Sequence, residues 1–298
     1  MTDSIKLIVV DLDGTLLNDQ HEMTERVQQA LRAARDQGVK IMLATGKTRG
    51  SALKVIERLG LETPGIYVQG LVTYASDGSI LHQITLDPAV ARQVITFAED
   101  RGFTLIAYSG TRMFVRARNH DTNLITEYGE PEPEVVGPLQ NLLNDTTINK
   151  LGIVHRADTR RVKALRWQLD MQINGSARLV QPALDAMLEV LPKGGSKGAA
   201  LKMLLKDLNI PASRVLAVGD GENDLEMVQM AGVGVAVSNA ESILKASADY
   251  VTTAPYGDGV AEAIERYVLK PAAIEAEPGT SQPESTPDQT VKTEVENS

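Results

Sequence analysis

Residues 5–17, IKLIVVDLDGTLL, limit what the chain can fold into more than any other stretch. The apolar residues 7–10 run consecutively instead of alternating, the pattern of a strand buried on both faces in a parallel sheet covered by helices. The run stops abruptly at Asp11 and Asp13, followed by Gly14 and Thr15. Doubly wound sheets bind ligands beyond the carboxyl ends of their strands, so two carboxylates at this point are presented to a crevice.

The next segments repeat a strand-then-helix rhythm. Thr24 can cap a helix to residue 37 that Gly38 ends, residues 39–44 form a second buried strand, Thr48 can cap a helix to residue 59, and residues 65–68 form a third strand. Such a rhythm predicts right-handed crossovers and a parallel sheet. It changes over residues 70–86, where Ser76-Asp77-Gly78 signals a hairpin, and Pro88 opens a helix to about residue 100. Mixed structure follows, with strands at 104–108, 112–118, 150–154, 177–180 and 187–191, a helix at 159–172 and a stiff polar loop at 130–134.

At Ser196 the first rhythm resumes: a helix to 208, a strand at 214–218, a helix at 222–230, strands at 233–237 and near Tyr250, and a helix at 260–267. The expected fold is α/β, a doubly wound, Rossmann-like parallel-sheet core from residues 1–85 and 189–269, with an inserted α+β cap at 86–188. Residues 270–298 are mostly Pro, Glu, Ser and Thr with little to bury, and read as a disordered acidic tail.

Four stretches carry chemistry. DLDGT at 11–15 is not a calcium loop, because Leu16 stands where the turn needs glycine and a strand precedes it where a helix is required. GDGEND at 219–224 sets Asp220, Asn223 and Asp224 directly after an apolar strand. Oxygen ligands on such a turn suit a hard cation, and acids there also match the dipole of a helix N-terminus. Thr45 and Gly46 offer a hydroxyl and a backbone N–H for an anion, or form an ordinary turn. The following Lys47 and Thr48 mimic the end of a nucleotide-binding P-loop, but Ile41 occupies its first glycine position.

GGSKG at 194–198 satisfies the nucleophile-elbow pattern, yet the triad it serves needs a later histidine. All four histidines, His21, His82, His120 and His155, lie upstream. Ser196 is then a helix N-cap, and Lys197 a cation at the mouth of the crevice or a surface lysine. Together the four stretches supply carboxylates, a hydroxyl, a lysine and metal-binding acids, a set suited to phosphoryl transfer.

With DLDGT at 11–15, ATG at 44–46, SKG at 196–198 and GDGEND at 219–224 in this order, the chain resembles the haloacid dehalogenase-like (HAD) superfamily in its Cof-type phosphatase branch, over roughly residues 5–269. The resemblance implies that Asp11 is the nucleophile that becomes an aspartyl phosphate, and Asp13 the acid and then the base. It also implies that Thr45, Gly46 and Asn223 bind the phosphoryl group, that Lys197 stabilises Asp11 and the phosphoryl charge, and that Mg²⁺ is held by Asp11, the Asp13 carbonyl, Asp220 and Asp224. The insertion then corresponds to the family's cap, which closes over the crevice and selects the leaving group. Two departures, Lys47 where this branch usually has Arg and Gln69 where it usually has Asn, bear on substrate recognition.

The expected function is therefore Mg²⁺-dependent hydrolysis of phosphomonoesters of small metabolites, with sugar phosphates leading and nucleotides such as flavin mononucleotide as the alternative. A phosphoacceptor signalling module is the rival of another class; it leaves the insertion unexplained and has no use for Asp13. Charge argues against a nucleic-acid partner: 39 acids against 30 Lys and Arg give −9, and residues 271–298, with six acids and one Lys, account for −5 of it, leaving −4 for the body. The absence of cysteine excludes disulfides, thiolate metal sites and a Cys nucleophile. No basic and apolar leader precedes the first strand and no apolar run approaches about 18 residues, so a cytoplasmic protein without a membrane partner is expected, as a monomer or homodimer. In the insertion, Arg112, Phe114, Arg116, Arg118 and His120, counted by twos, read as a solvated strand face, and Trp167 as packing.

Overall fold

The structure is a computed structural model that describes residues 4–182 and 184–269; the acidic tail expected at 270–298 lies outside the described residues. Five parallel strands form the central sheet, in the order Tyr250–Val251, Val233–Ala236, Val215–Gly219, Leu7–Val10 and Lys40–Leu43. Leu7, Ile8, Val9 and Val10 are completely buried, as their unbroken apolar run predicts. Burying an aliphatic side chain of this size contributes about 1.5–3 kcal/mol relative to exposure. Register does the positioning: Val10 lies opposite both Val218 and Leu43, so the residues after these strands emerge along one edge.

The third expected strand, Gly65–Tyr67, joins this sheet only through a parallel bridge between Ala44 and Ile66. It continues into an antiparallel sheet with Val72–Tyr74 and Ile80–Gln83, the hairpin signalled by Ser76-Asp77-Gly78. The helix Glu25–Asp36 is capped by Thr24, whose hydroxyl accepts from the Val27 N–H, and buries Val27, Ala30, Leu31 and Ala34. The helix expected at 260–267 begins earlier, at Tyr256, and its α-helical part runs to Ile264. Gly257 and Gly259 disfavour a helix in isolation; here both are buried, and a Cβ on Gly259 would meet the Ala254 carbonyl oxygen at 2.4 Å.

The insertion forms a six-stranded sheet that runs past the expected boundary at residue 188, because the strand Met187–Pro192 pairs within it; the order is Ala177–Val180, Met187–Pro192, Lys150–Val154, Thr104–Ser109, Arg112–Val115 and Glu134–Val135. Leu105, Ala107, Leu151, Ile153, Leu188 and Val190 pack on one face with the helices Pro88–Glu99 and Thr159–Ile173. The alternate residues Ile106, Tyr108, Val154 and Met187 join the core of the parallel sheet instead. Because side chains on a strand alternate, Lys150 and Glu189 share the face of Val154 and Met187, toward the parallel-sheet core.

Two expectations for the insertion are corrected. The strand expected at 112–118 stops at Val115 with Phe114 buried, and Arg112, Arg116 and Arg118 are exposed in ion pairs with Glu134, Glu99 and Glu132. Trp167 does not pack: it is 70% exposed, because its helix turns Val162, Leu165, Leu169 and Ile173 inward. The molecule is thus α/β, with a doubly wound parallel-sheet core and an inserted α+β cap.

Candidate active site

Asp11 continues the line of the first strand, its N–H donating to the Val218 carbonyl at 3.0 Å, so its buried carboxylate stands at the sheet edge beside the turn that carries Asp220. Carboxylate oxygens of Asp11, Asp220 and Asp224 lie within 4.8 Å of one another. Lys197 opens the helix Lys197–Asp207, and Ser196 caps it by accepting from the Ala199 N–H at 2.9 Å. The Ser196 hydroxyl in turn donates to Glu226, so Ser196 serves the helix. The Lys197 ammonium donates to Asp11 Oδ1 at 2.6 Å and to Asp224 Oδ1 at 2.7 Å. At 1% exposure it forms the floor of the site, deeper than the expected place at the crevice mouth.

Asp224 is fully engaged, its Oδ2 accepting the N–H groups of Asp220 at 3.0 Å and Gly221 at 3.1 Å. Thr15, which sequence reasoning left without a partner, donates its hydroxyl to Asp220 Oδ1 at 2.8 Å. Burial pushes the Asp11 carboxyl well above the usual carboxylate range despite Lys197, and the Asp224 and Asp220 charges push the same way. Asp220 is raised to about 6 by burial and by the Asp224 charge. Burial opposes the Lys197 ammonium, but Asp11 and Asp224 outweigh it and hold the group charged beyond its ordinary range.

Three carboxylates around one ammonium therefore still call for positive charge, and every side-chain donor in the cluster is an oxygen. That donor set fits a hard divalent cation such as Mg²⁺.

Asp13 stands apart from this cluster. Its Oδ1 accepts from Lys47 Nζ at 2.7 Å and meets His21 Nδ1 at 3.1 Å. Lys47 is buried and lies 4.2 Å from the centre of the Tyr128 ring. Thr45 is buried, with its hydroxyl accepting from the Lys47 N–H at 3.1 Å, which ties the expected phosphate loop to the Asp13 partner. Asn223 donates Nδ2 to Gln69 Oε1 at 3.0 Å, and Gly46 offers its carbonyl to Lys150 at 3.1 Å.

Sequence reasoning missed the contributions of the cap. Glu130 accepts from the Thr48 N–H at 3.0 Å, the Thr48 hydroxyl at 2.6 Å and the Ser51 hydroxyl. It thereby caps the helix Arg49–Leu59 in place of the Thr48 side chain. An anion there is favoured by the orphan N–H groups of the helix start. The signal for Glu130 was its place in a Pro-stiffened loop, which says nothing about a partner 82 residues away.

Residues 8–264 match the family of haloacid dehalogenase-like hydrolases. The chain is 35% identical over 273 residues to "Endoribonuclease YBEY, chloroplastic" of Arabidopsis thaliana, covering 88% of this chain and 46% of the plant protein, so it spans under half of that relative. It is 28% identical over 285 residues to Phosphatase YwpJ of Bacillus subtilis (strain 168), covering 86% of this chain and 98% of the relative. A solved haloacid dehalogenase-like hydrolase from Bacteroides thetaiotaomicron superposes with a TM-score of 0.78 at 27% identity, over 88% of this chain and 99% of that one. The strand that ends at Asp11, the buried lysine and the acidic turn thus sit in a fold and a sequence with known counterparts: the chain belongs to the haloacid dehalogenase-like hydrolase family.

Proposed function

We propose that the protein is a Mg²⁺-dependent phosphatase that hydrolyses phosphomonoesters of small metabolites through an aspartyl phosphate on Asp11. The observation that carries the reading is Lys197 Nζ at 2.6 Å from Asp11 Oδ1, an ammonium that orients a buried carboxylate and opposes the effect of its burial. Asp11, Asp220 and the Asp13 carbonyl would hold the cation, with Asp224 supporting it. When bound, Mg²⁺ supplies positive charge that offsets the carboxylates and the phosphoryl oxygens.

Asp11 attacks phosphorus, and the bond from phosphorus to the ester oxygen breaks with its electron pair leaving on that oxygen. Asp13 gives the leaving oxygen a proton. Water then attacks the aspartyl phosphate while Asp13 takes the proton back, and orthophosphate leaves with the Asp11 carboxylate restored. Thr45, Gly46 and Asn223 orient the phosphoryl group, and Lys197 stabilises its charge.

The segment at 86–188, with the remainder of the strand Met187–Pro192, acts as the cap that selects the leaving group. Lys47 and His21, both at the Asp13 carboxylate, are polar groups that favour a hydroxylated leaving group, so sugar phosphates are the leading substrate class. The relative from Bacillus subtilis that carries the name phosphatase supports the reaction class. The reading includes a cytoplasmic protein, monomeric or homodimeric; among the described residues no helix is long and apolar enough to cross a membrane.

The test is a panel of phosphorylated sugars and nucleotides plus an activated aryl phosphate, with and without Mg²⁺, beside Asp11→Asn. Phosphate release that needs both Mg²⁺ and Asp11 is expected. No release from any ester, or full activity in Asp11→Asn, ends the reading.

A further inference from the structure

Two charged side chains of the cap are buried against the loops just described. Lys150 is 2% exposed and Glu189 3%, and they form an ion pair on the core-facing side of the six-stranded sheet. Lys150 Nζ also donates to the Gly46 carbonyl at 3.1 Å and lies 4.4 Å from the centre of the Tyr108 ring. The second oxygen of Glu189 accepts from Gln69 Nε2 at 3.0 Å, and Gln69 Oε1 accepts from Asn223 Nδ2 at 3.0 Å. One ion pair of the cap thus grips both loops assigned to the phosphoryl group, Gly46 through Lys150 and Asn223 through Gln69.

Stability does not account for this arrangement. Desolvating two charges is costly, and a well-packed apolar pair in their place is often neutral or stabilising. Orientation does account for it. A carboxylate only accepts hydrogen bonds, so Glu189 dictates which end of the Gln69 amide faces it. Gln69 must then show its oxygen to Asn223, which fixes the Asn223 amide in turn.

The backbone shows the same fastening. Val68 and Gln69 have φ of 53° and 62°, in a left-handed region that is a true outlier for a β-branched residue. Strain of this kind costs on the order of 1–3 kcal/mol per residue and persists only where the surroundings over-determine it. Here the Val68 N–H donates to the Lys47 carbonyl at 2.8 Å and the Gln69 N–H to the Thr45 carbonyl at 3.2 Å, so the strained turn is tied to the phosphate loop. The Gln69 amide lies so close to Gly46 that a Cβ there would be 2.6 Å from Nε2.

We propose that Lys150, Glu189 and Gln69 are positioning residues for phosphoryl transfer, through which docking of the cap orders the Gly46 peptide and the Asn223 amide. The cap then completes the site as well as covering it. The proposal rests on the phosphatase reading above, and its test keeps the two apart.

Two quantities are measured: kcat on 4-nitrophenyl phosphate, and the affinity of the Mg²⁺-loaded protein for orthophosphate by calorimetry. The variants are Gln69→Leu, which removes no charge, and the paired Lys150→Met/Glu189→Leu, which removes both together, with Tm as the check on folding. Each is expected to lose about tenfold in kcat or in phosphate affinity, the scale of one hydrogen bond. In an Asn223→Ala background, Gln69→Leu should add less than about twofold, because its effect passes through Asn223. Values close to wild type in Gln69→Leu, or a full multiplicative loss on top of Asn223→Ala, overturn the proposal. If the paired variant fails to fold, Gln69→Leu alone decides. Absence of ester turnover in the wild type would end the phosphatase reading, while orthophosphate affinity would still decide the positioning role.

Discussion

Lys47 donates from Nζ to Asp13 Oδ1 at 2.7 Å, and the lysine is itself held beneath the Tyr128 ring of the cap. The proposed acid and base is therefore aimed by a residue that the cap covers. Lys47→Met should leave Asp13 without its partner and lower kcat by about tenfold or more, within the range that a general acid contributes. Lys47→Arg should retain more of the rate, since it keeps a cation at the same carboxylate. Steady-state kinetics on an ester with a poor leaving group checks this, and equal rates for Lys47→Met and the wild type would remove Lys47 from that role.

Lys197 compensates two buried carboxylates at once, Asp11 and Asp224. Removing one partner of a buried pair typically costs about 3–5 kcal/mol, because the remaining charge is stranded. Lys197→Met should therefore destabilise the metal-free protein on that scale at neutral pH, by urea denaturation. Protonation relieves stranded carboxylates, so the deficit should shrink as pH falls. A deficit that is absent, or that grows toward acid, would contradict the assignment.

The parallel core was legible because its information is local. An unbroken apolar strand, a following acid and a capped helix each announce themselves within a few residues, and register then brings Asp11 and Asp220 together. The cap's part in the site was not legible in the same way. Lys150 and Glu189 were visible as charges within apolar runs, and their parity with Val154 and Met187 would have placed them on one face. Which layer that face meets depends on packing between distant segments, which periodicity does not encode. Gln69 was noticed only as a departure; its role depends on reaching Glu189, 120 positions away.

Asp220 is raised to about 6 by burial and by the neighbouring Asp224. A metal must displace that proton, so Mg²⁺ affinity should fall as pH drops below about 6, approaching tenfold per pH unit for one competing proton. Calorimetric titrations between about pH 5 and 8 measure it. For stability the sign is opposite in the metal-free protein. The folded state holds this proton more tightly than the unfolded chain, so stability should decline as pH rises from about 4 through about 6. Asp220→Asn should flatten both dependences, and unchanged slopes would remove Asp220 as the group responsible.

Gly70 offers the sharpest test of how the core holds its lysine. Its φ is +86°, and a Cβ there would lie 2.1 Å from the Ser196 carbonyl oxygen and 2.7 Å from the Lys197 nitrogen. Both obstacles are backbone, so no side-chain rotation relieves them. Gly70→Ala combines an unfavourable conformation with a clash and should cost more than about 1 kcal/mol in urea denaturation. The displaced segment begins the helix that presents Lys197 to Asp11, and a shift near 1 Å at a reacting group can cost about 10²-fold in rate. The variant should therefore lose activity out of proportion to its loss of stability, with kcat falling under conditions where nearly all of it is folded. A variant that is destabilised yet turns over at the wild-type rate would mean that the Ser196 and Lys197 backbone can yield without moving the ammonium from Asp11.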